Sequence, residues 1–124
     1  MKDPCPCGRG AGFDACCARY MGTGVPAPDA ESLMRSRYTA FVRGDAAHLL
    51  ATWHESTRPA AIELDAGVKW LGIEVKRHTP VDETHAEVEF VARSRLQGRG
   101  QRLHERSRFV REGGHWWYVD GELL

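Results

Sequence analysis

The feature that most limits how this chain can fold is a short run near its start, Cys5 to Cys17, CPCGRGAGFDACC, which holds all four cysteines of the protein. One proline separates Cys5 from Cys7, the glycines Gly8, Gly10 and Gly12 follow, and Cys16 and Cys17 are adjacent. Phe13, Cys16, Cys17 and Tyr20 recur at i, i+3, i+4 and i+7, which predicts a short helix with both thiols and two rings on one side. The glycines allow positive φ in the loop, so backbone amides can turn toward the sulfurs of Cys5 and Cys7. Four thiolates at about 2.3 Å around one tetrahedral Zn²⁺ suit this spacing. With all four positions filled by protein, such an ion is structural and leaves no place for a reactive water.

Reversible redox pairing and unliganded core thiols are the competing readings. Adjacent cysteines bond to each other only in a strained ring, and a disulfide framework belongs to an oxidising compartment. Met1 to Gly12 is polar and glycine-rich, with no apolar core of a secretory signal, so the expectation is a cytoplasmic protein. A zinc ion held by four thiolates keeps a negative charge, which Lys2, Arg9 and Arg19 are near enough in sequence to offset.

The same stretch resembles the SEC-C motif, a zinc-binding segment also found at the C-terminus of the SecA translocase. The remainder is similar to the YchJ family of bacterial proteins through LMRSRYTAF (Leu33 to Phe41), TWH (Thr52 to His54), WLG (Trp70 to Gly72), ERSRF (Glu105 to Phe109) and WWYVDG (Trp116 to Gly121). The resemblance implies a zinc knuckle over residues 1–22 and, over residues 30–124, an α+β domain like nuclear transport factor 2, with helices and a curved sheet enclosing a pocket. It implies no activity. Arg9 stands where the motif commonly has serine, and Gly12, Phe13 and Asp14 replace its usual lysines, so the knuckle loses the look of a basic docking site.

A chain of 124 residues with 42% hydrophobic content can build one compact core plus a small appendage. The appendage is too short to bury a core of its own and needs a metal or the main domain to order it. The net charge is zero, so nothing global draws the chain to nucleic acid or anionic lipid.

Gly22 to Asp29 reads as a Gly/Pro linker, with Asp29 placed to cap the next helix. From Ala30 to Arg43, Leu33, Met34, Tyr38, Phe41 and marginally Val42 share one arc, and Gly44 ends it. Arg37 falls near the middle of that arc, where a solvated arginine is not expected. Asp45 caps a second helix to about Trp53, and a third is expected from about Arg58 to Ala66. The period then changes to two. Val68 to Thr79 alternates with a slip at Trp70 to Gly72 that marks a bulge. Ala86 to Leu96 and Arg102 to Glu112 alternate cleanly across a Gln97–Gln101 hairpin, Gly113 and Gly114 turn the chain, and Trp116 to Gly121 is the last strand. Helices followed by a meander of four strands give an α+β fold.

Two further constellations emerge. Glu105 alternates in phase with Leu103 and Phe109, so an acid faces the helices along with Arg37. An ion pair between them is expected, because arginine beside a carboxylate lowers its pKa and makes it a poor base. The alternative is a general base, with His54 as a second candidate, in a cavity lined by Tyr38, Trp53, His54 and Trp70. On the outer face Arg93, Arg95, Arg106 and Arg108 lie together near Trp116, Trp117 or Tyr118. This could contact RNA or an acidic partner, but a solvated face is the simpler reading in a sequence with fourteen arginines and three lysines. Two functions result. One is a binding or adaptor module whose knuckle meets a protein or ribosomal partner and whose pocket takes a small ligand. The other is a small enzyme using Glu105.

Overall fold

The computed structural model describes residues 3–124. Helix α1 spans Ala30–Arg43 and α2 spans Ala46–Ala51. The strands are β1, Lys69–Pro80; β2, His85–Leu96; β3, Arg99–Glu112; and β4, His115–Leu123. They form one antiparallel sheet in the order β1-β2-β3-β4, with the helices on one face, so the fold is α+β.

The helix ends follow from their caps. The Asp29 carboxylate accepts from the Ser32 amide at 2.7 Å and that of Asp45 from the His48 amide at 3.0 Å, while Gly44 ends α1 at φ 72°. Leu33, Met34 and Tyr38 of α1 pack on Ala86, Val88, Phe90, Ala92 and Phe109 of the sheet. Phe109, only 2% exposed, is the largest fully buried side chain, and burying it contributes about 1.5–3 kcal/mol. Phe41 and Val42 end up exposed at the edge of this packing.

The slip at Trp70 to Gly72 is a register shift in the β1–β2 pairing, and a second shift follows between Val75 and Arg77. The β2–β3 connection is tighter than Gln97–Gln101: only Gln97 and Gly98 lie outside the strands, both at positive φ, as in a two-residue hairpin.

Two expected helices are absent. Residues 58–66 are an irregular strap, exposed except at the half-buried Pro59, Ile62 and Leu64. Their only large apolar side chains, Ile62 and Leu64, would stand about 200° apart on a helix, so it could bury only one of them. Phe13 to Tyr20 forms two 3₁₀ turns, Phe13–Ala15 and Cys17–Tyr20, broken at Cys16 with φ −127° and ψ −112°. On one continuous helix the adjacent thiols would diverge by about 100°, and the break lets both turn the same way.

Candidate metal centre and cavity

The four sulfurs of Cys5, Cys7, Cys16 and Cys17 lie within 4.8 Å of one another, and none of these residues is more than 5% exposed. A tetrahedron of sulfurs at about 2.3 Å from a central ion has edges of about 3.8 Å, and Cys7 Sγ and Cys16 Sγ are 3.5 Å apart. The loop is closed by the Cys5 amide donating to Ala11 O (2.9 Å) and the Phe13 amide to Asp3 O (2.9 Å). Left to protons alone, the cluster divides unevenly. Hydrogen bonding from Cys17, assisted by the Arg9 amide, holds Cys7 down to about 4 despite its burial. Burial pushes Cys16 up to about 11, and Cys17 is raised by its bond to Cys7 and by burial. Buried sulfurs that cannot share more negative charge among themselves suit a thiophilic cation, which deprotonates all four. The cluster could hold a metal ion.

The knuckle docks along α1. Thr39, fully buried, places Oγ1 at 3.4 Å from Cys17 Sγ and 3.8 Å from Cys5 Sγ. Arg35 donates to Cys7 O at 2.5 Å, and Arg9 donates to Ser32 Oγ at 2.9 Å and pairs with Glu31. Arg43 stacks on the Phe13 ring at 4.0 Å. The two arginines expected to offset thiolate charge divide: Arg9 interacts electrostatically with Cys7 as well as pairing with Glu31 of α1, whereas Arg19 donates to Cys16 O and stacks on Tyr20. Lys2 lies outside the described residues. Thr39 and Arg35 carry no mark in the sequence as partners of the cysteine loop. The helical period gives no signal for them: both fall on the side of α1 away from the apolar arc, and Thr39 is buried because the cysteine loop covers it.

On the opposite side of α1 lies a cavity of about 250 Å³. Arg37, Tyr38, Trp53, Trp70 and Glu105 all line it, together with Tyr118 from β4. Tyr38 and Trp70 meet edge to face at 5.7 Å, as do Trp53 and Tyr118 at 5.0 Å. Phe41 and Leu103, each 36% exposed, stand at its rim.

Arg37 and Glu105 face the same space without forming the expected ion pair. Arg37 Nη1 donates to Leu49 O (2.8 Å) and Thr52 Oγ1 (2.7 Å), at the C-terminal end of α2 where carbonyls favour a cation. Its guanidinium lies 4.3 Å from the Tyr118 ring centre and 5.2 Å from that of Trp53. Burial lowers Arg37 to about 10, with Tyr118 and Glu105 pulling the other way, and it remains a cation at neutral pH. Glu105 Oε2 accepts from Ser107 Oγ at 2.7 Å. Its carboxylate rests on Gly121, where an added Cβ would fall 2.4 Å from Oε2. Glycine in a strand signals such a close approach.

His54 is not on the cavity. Trp53 forms a parallel bridge to Tyr118, with the Tyr118 amide donating to Thr52 O at 2.9 Å and the His54 amide to Tyr118 O at 2.7 Å, and neighbours at such a bridge point to opposite sides. Trp53 faces in and His54 out, toward Ser56 Oγ (2.7 Å) and Glu112 Oε1 (3.0 Å).

Arg93, Arg95, Arg106 and Arg108 do share the outer face, interleaved with acids. Glu87 and Glu89 oppose Arg108 and Arg106 on one side, and Asp120 and Glu122 oppose them on the other. Arg108 Nε is 2.6 Å from Asp120 Oδ1, and Tyr118 points inward to the cavity. No helix among the described residues is long and apolar enough to cross a membrane.

Residues 29–121 match the model of the YchJ middle NTF2-like domain, and residues 1–19 match the SEC-C motif. A UPF0225 protein of Methylibium petroleiphilum is 64% identical, covering 97% of this chain and 88% of that protein. One from Polaromonas naphthalenivorans is 57% identical, covering 98% of each. The solution structure of a SEC-C motif containing protein from Rhodopseudomonas palustris aligns with a TM-score of 0.87 at 30% identity, over 100% of this chain and 99% of that one. A crystal structure of a SEC-C motif containing protein from Psychrobacter arcticus gives 0.80 at 26% identity, over 100% and 83%. With relatives this similar from end to end and a domain model that spans most of its length, the chain belongs to the YchJ (UPF0225) family and carries a SEC-C motif ahead of its NTF2-like domain.

Proposed function

We propose that this protein is a cytoplasmic binding module in which a zinc ion held by Cys5, Cys7, Cys16 and Cys17 is a structural staple and the cavity beneath α1 receives a small organic ligand. The observation that carries the reading is the cavity itself. Protein interiors are close-packed, with few voids larger than a water molecule. An apolar cavity of about 150 Å³ is enough to bind benzene. One of about 250 Å³, walled by rings and opening between Phe41 and Leu103, is a feature that core packing alone does not call for. Binding is favoured over catalysis by the state of the inward acid. Glu105 is half-buried and hydrogen-bonded to Ser107, and no histidine reaches the cavity lining to relay a proton.

Two measurements test this. Titrating indole, a neutral probe, into labelled protein should shift the resonances of Tyr38, Trp70 and Tyr118 together. Shifts confined to the outer face, or none with indole and none with charged aromatic probes of the same size, would remove the receptor reading. Metal analysis of protein never exposed to chelator should find one zinc per chain with four thiols protected. Absence of metal, or another metal in its place, would overturn the zinc assignment.

A further inference from the structure

The polar groups on the cavity wall narrow the ligand beyond its size. Arg37 is 6% exposed and has no carboxylate within ion-pair distance among the described residues; its two hydrogen bonds both leave from Nη1. No fully buried side-chain nitrogen or oxygen among the described residues lacks a partner, so Nε and Nη2, which are not in those two bonds, keep some exposure, and Arg37 lines the cavity. A buried cation with unused donors is costly until an acceptor meets it. The same lining holds one carboxylate, Glu105, fixed at one oxygen by Ser107 and held in place by its contact with Gly121. The rest of the wall is mainly rings.

Resting on the receptor reading above, we propose that the cavity binds a small aromatic zwitterion of the free amino acid type, its carboxylate on Arg37, its ammonium group on Glu105 and its ring against Tyr38 and Trp70. Charge complementarity selects this class. A simple anion would meet Arg37 but be repelled by Glu105, a simple amine would meet the reverse, and a neutral hydrocarbon would leave both charges without a countercharge. The volume sets the upper limit: about 250 Å³ lies just below the range of roughly 300–1,000 Å³ that takes drug-sized molecules, so one ring with a short polar arm fills it.

Gly121 is a positioning residue in this scheme. It touches no ligand, but a methyl group there must displace the Glu105 carboxylate, which is the mobile end of a side chain and can move without the sheet breaking.

The experiment is a titration followed by amide shifts and calorimetry with four probes of one skeleton: L-phenylalanine, 3-phenylpropionate (no amine), phenethylamine (no carboxylate) and ethylbenzene (neither). L-Phenylalanine should bind at least tenfold more tightly than the other three. Glu105→Gln should remove that advantage over 3-phenylpropionate, and Gly121→Ala, which keeps the charge but shifts it, should do the same in part. Arg37→Lys should weaken L-phenylalanine and leave phenethylamine unchanged. If any of the other three binds as well as L-phenylalanine, if Glu105→Gln leaves the ranking intact, or if indole binds and none of the four does, the zwitterion assignment is wrong while the receptor stands. If none of the four binds, and indole does not either, the receptor reading itself fails.

Discussion

Helix α1 is built differently on its two long sides. Toward the knuckle, Ser32, Arg35 and Thr39 each meet a named partner on the cysteine loop within hydrogen-bonding reach. Toward the sheet, Met34, Arg37, Tyr38 and Phe41 border open space, with a cation in place of the hydrocarbon that would fill a core. A segment without a core of its own is fixed by short polar contacts and by four clustered thiols that could hold a metal ion. A domain with ample core can leave part of it unfilled. The contrast puts the cysteine loop on one side of α1 and the cavity, the site of the proposed ligand, on the other.

The sharpest way to break the comparison is to remove the metal. Structural zinc contributes on the order of 10 kcal/mol to folding small metal-held segments. Chelation, or Cys17→Ser, should therefore abolish amide protection over residues 5–20 while Val88, Phe90 and Phe109 stay protected. Hydrogen exchange reads this directly. Loss of protection in β2 and β3 as well would show that the metal side supports the core and the division is false.

Arg37 comes next. Arg37→Met removes two charge-assisted hydrogen bonds and two ring contacts, and should cost about 3 kcal/mol in urea unfolding. Because Glu105 is not its partner, the double variant with Glu105→Gln should show a coupling below about 1 kcal/mol, against the 3–5 kcal/mol lost when one partner of a true buried pair is removed. A larger coupling would restore the ion pair and fill the cavity side with a fixed contact.

Thr39→Val sharpens the other side at smaller cost. It keeps the side chain's volume and removes the hydroxyl beside Cys17 and Cys5. Groups that support metal ligands change affinity by about 10–100-fold, so zinc competition with a chromophoric chelator should show a loss in that range, with unfolding of the main domain changed by no more than about 1 kcal/mol. Unaltered zinc affinity would make Thr39 a packing residue only.

How much of this the sequence discloses depends on whether a signal is local. The cysteine cluster is local, four thiols within one loop, and its site is legible from spacing alone. The strands are legible because alternation is a two-residue property, and the bulge at Trp70 to Gly72 breaks that alternation visibly. Period fixes direction, not distance. It aims Arg37 and Glu105 at the same layer but cannot tell that Arg37 finds its acceptors at the end of α2. The same limit turned Phe41 and Leu103 from core into rim, since a helix arc does not reveal where the facing sheet stops. The strap at 58–66 misled because its composition suits a helix while its two large apolar residues do not share a face.

The smallest effect expected is one of pH, and it lies where the two sides of α1 meet α2. His48 is 4% exposed, and its Nε2 lies 2.9 Å from Ser36 Oγ. Ser36 gives its own proton to Leu33 O at 2.7 Å, so the hydroxyl oxygen must accept and His48 must carry its proton on Nε2. Burial lowers the His48 pKa below 6.5; the Asp45 carboxylate opposes that shift and the Arg37 guanidinium adds to it. A histidine whose folded pKa is depressed binds protons more readily when unfolded. The stability it contributes is therefore complete above pH 6.5 and declines as the pH falls below it, until the folded form is protonated too. Urea unfolding between pH 8 and pH 5 should show wild type losing more stability than His48→Gln, whose amide can still donate to Ser36 but does not titrate. Parallel curves would mean that His48 is protonated as easily folded as unfolded, and that the α1–α2 contact is wetter than its burial implies.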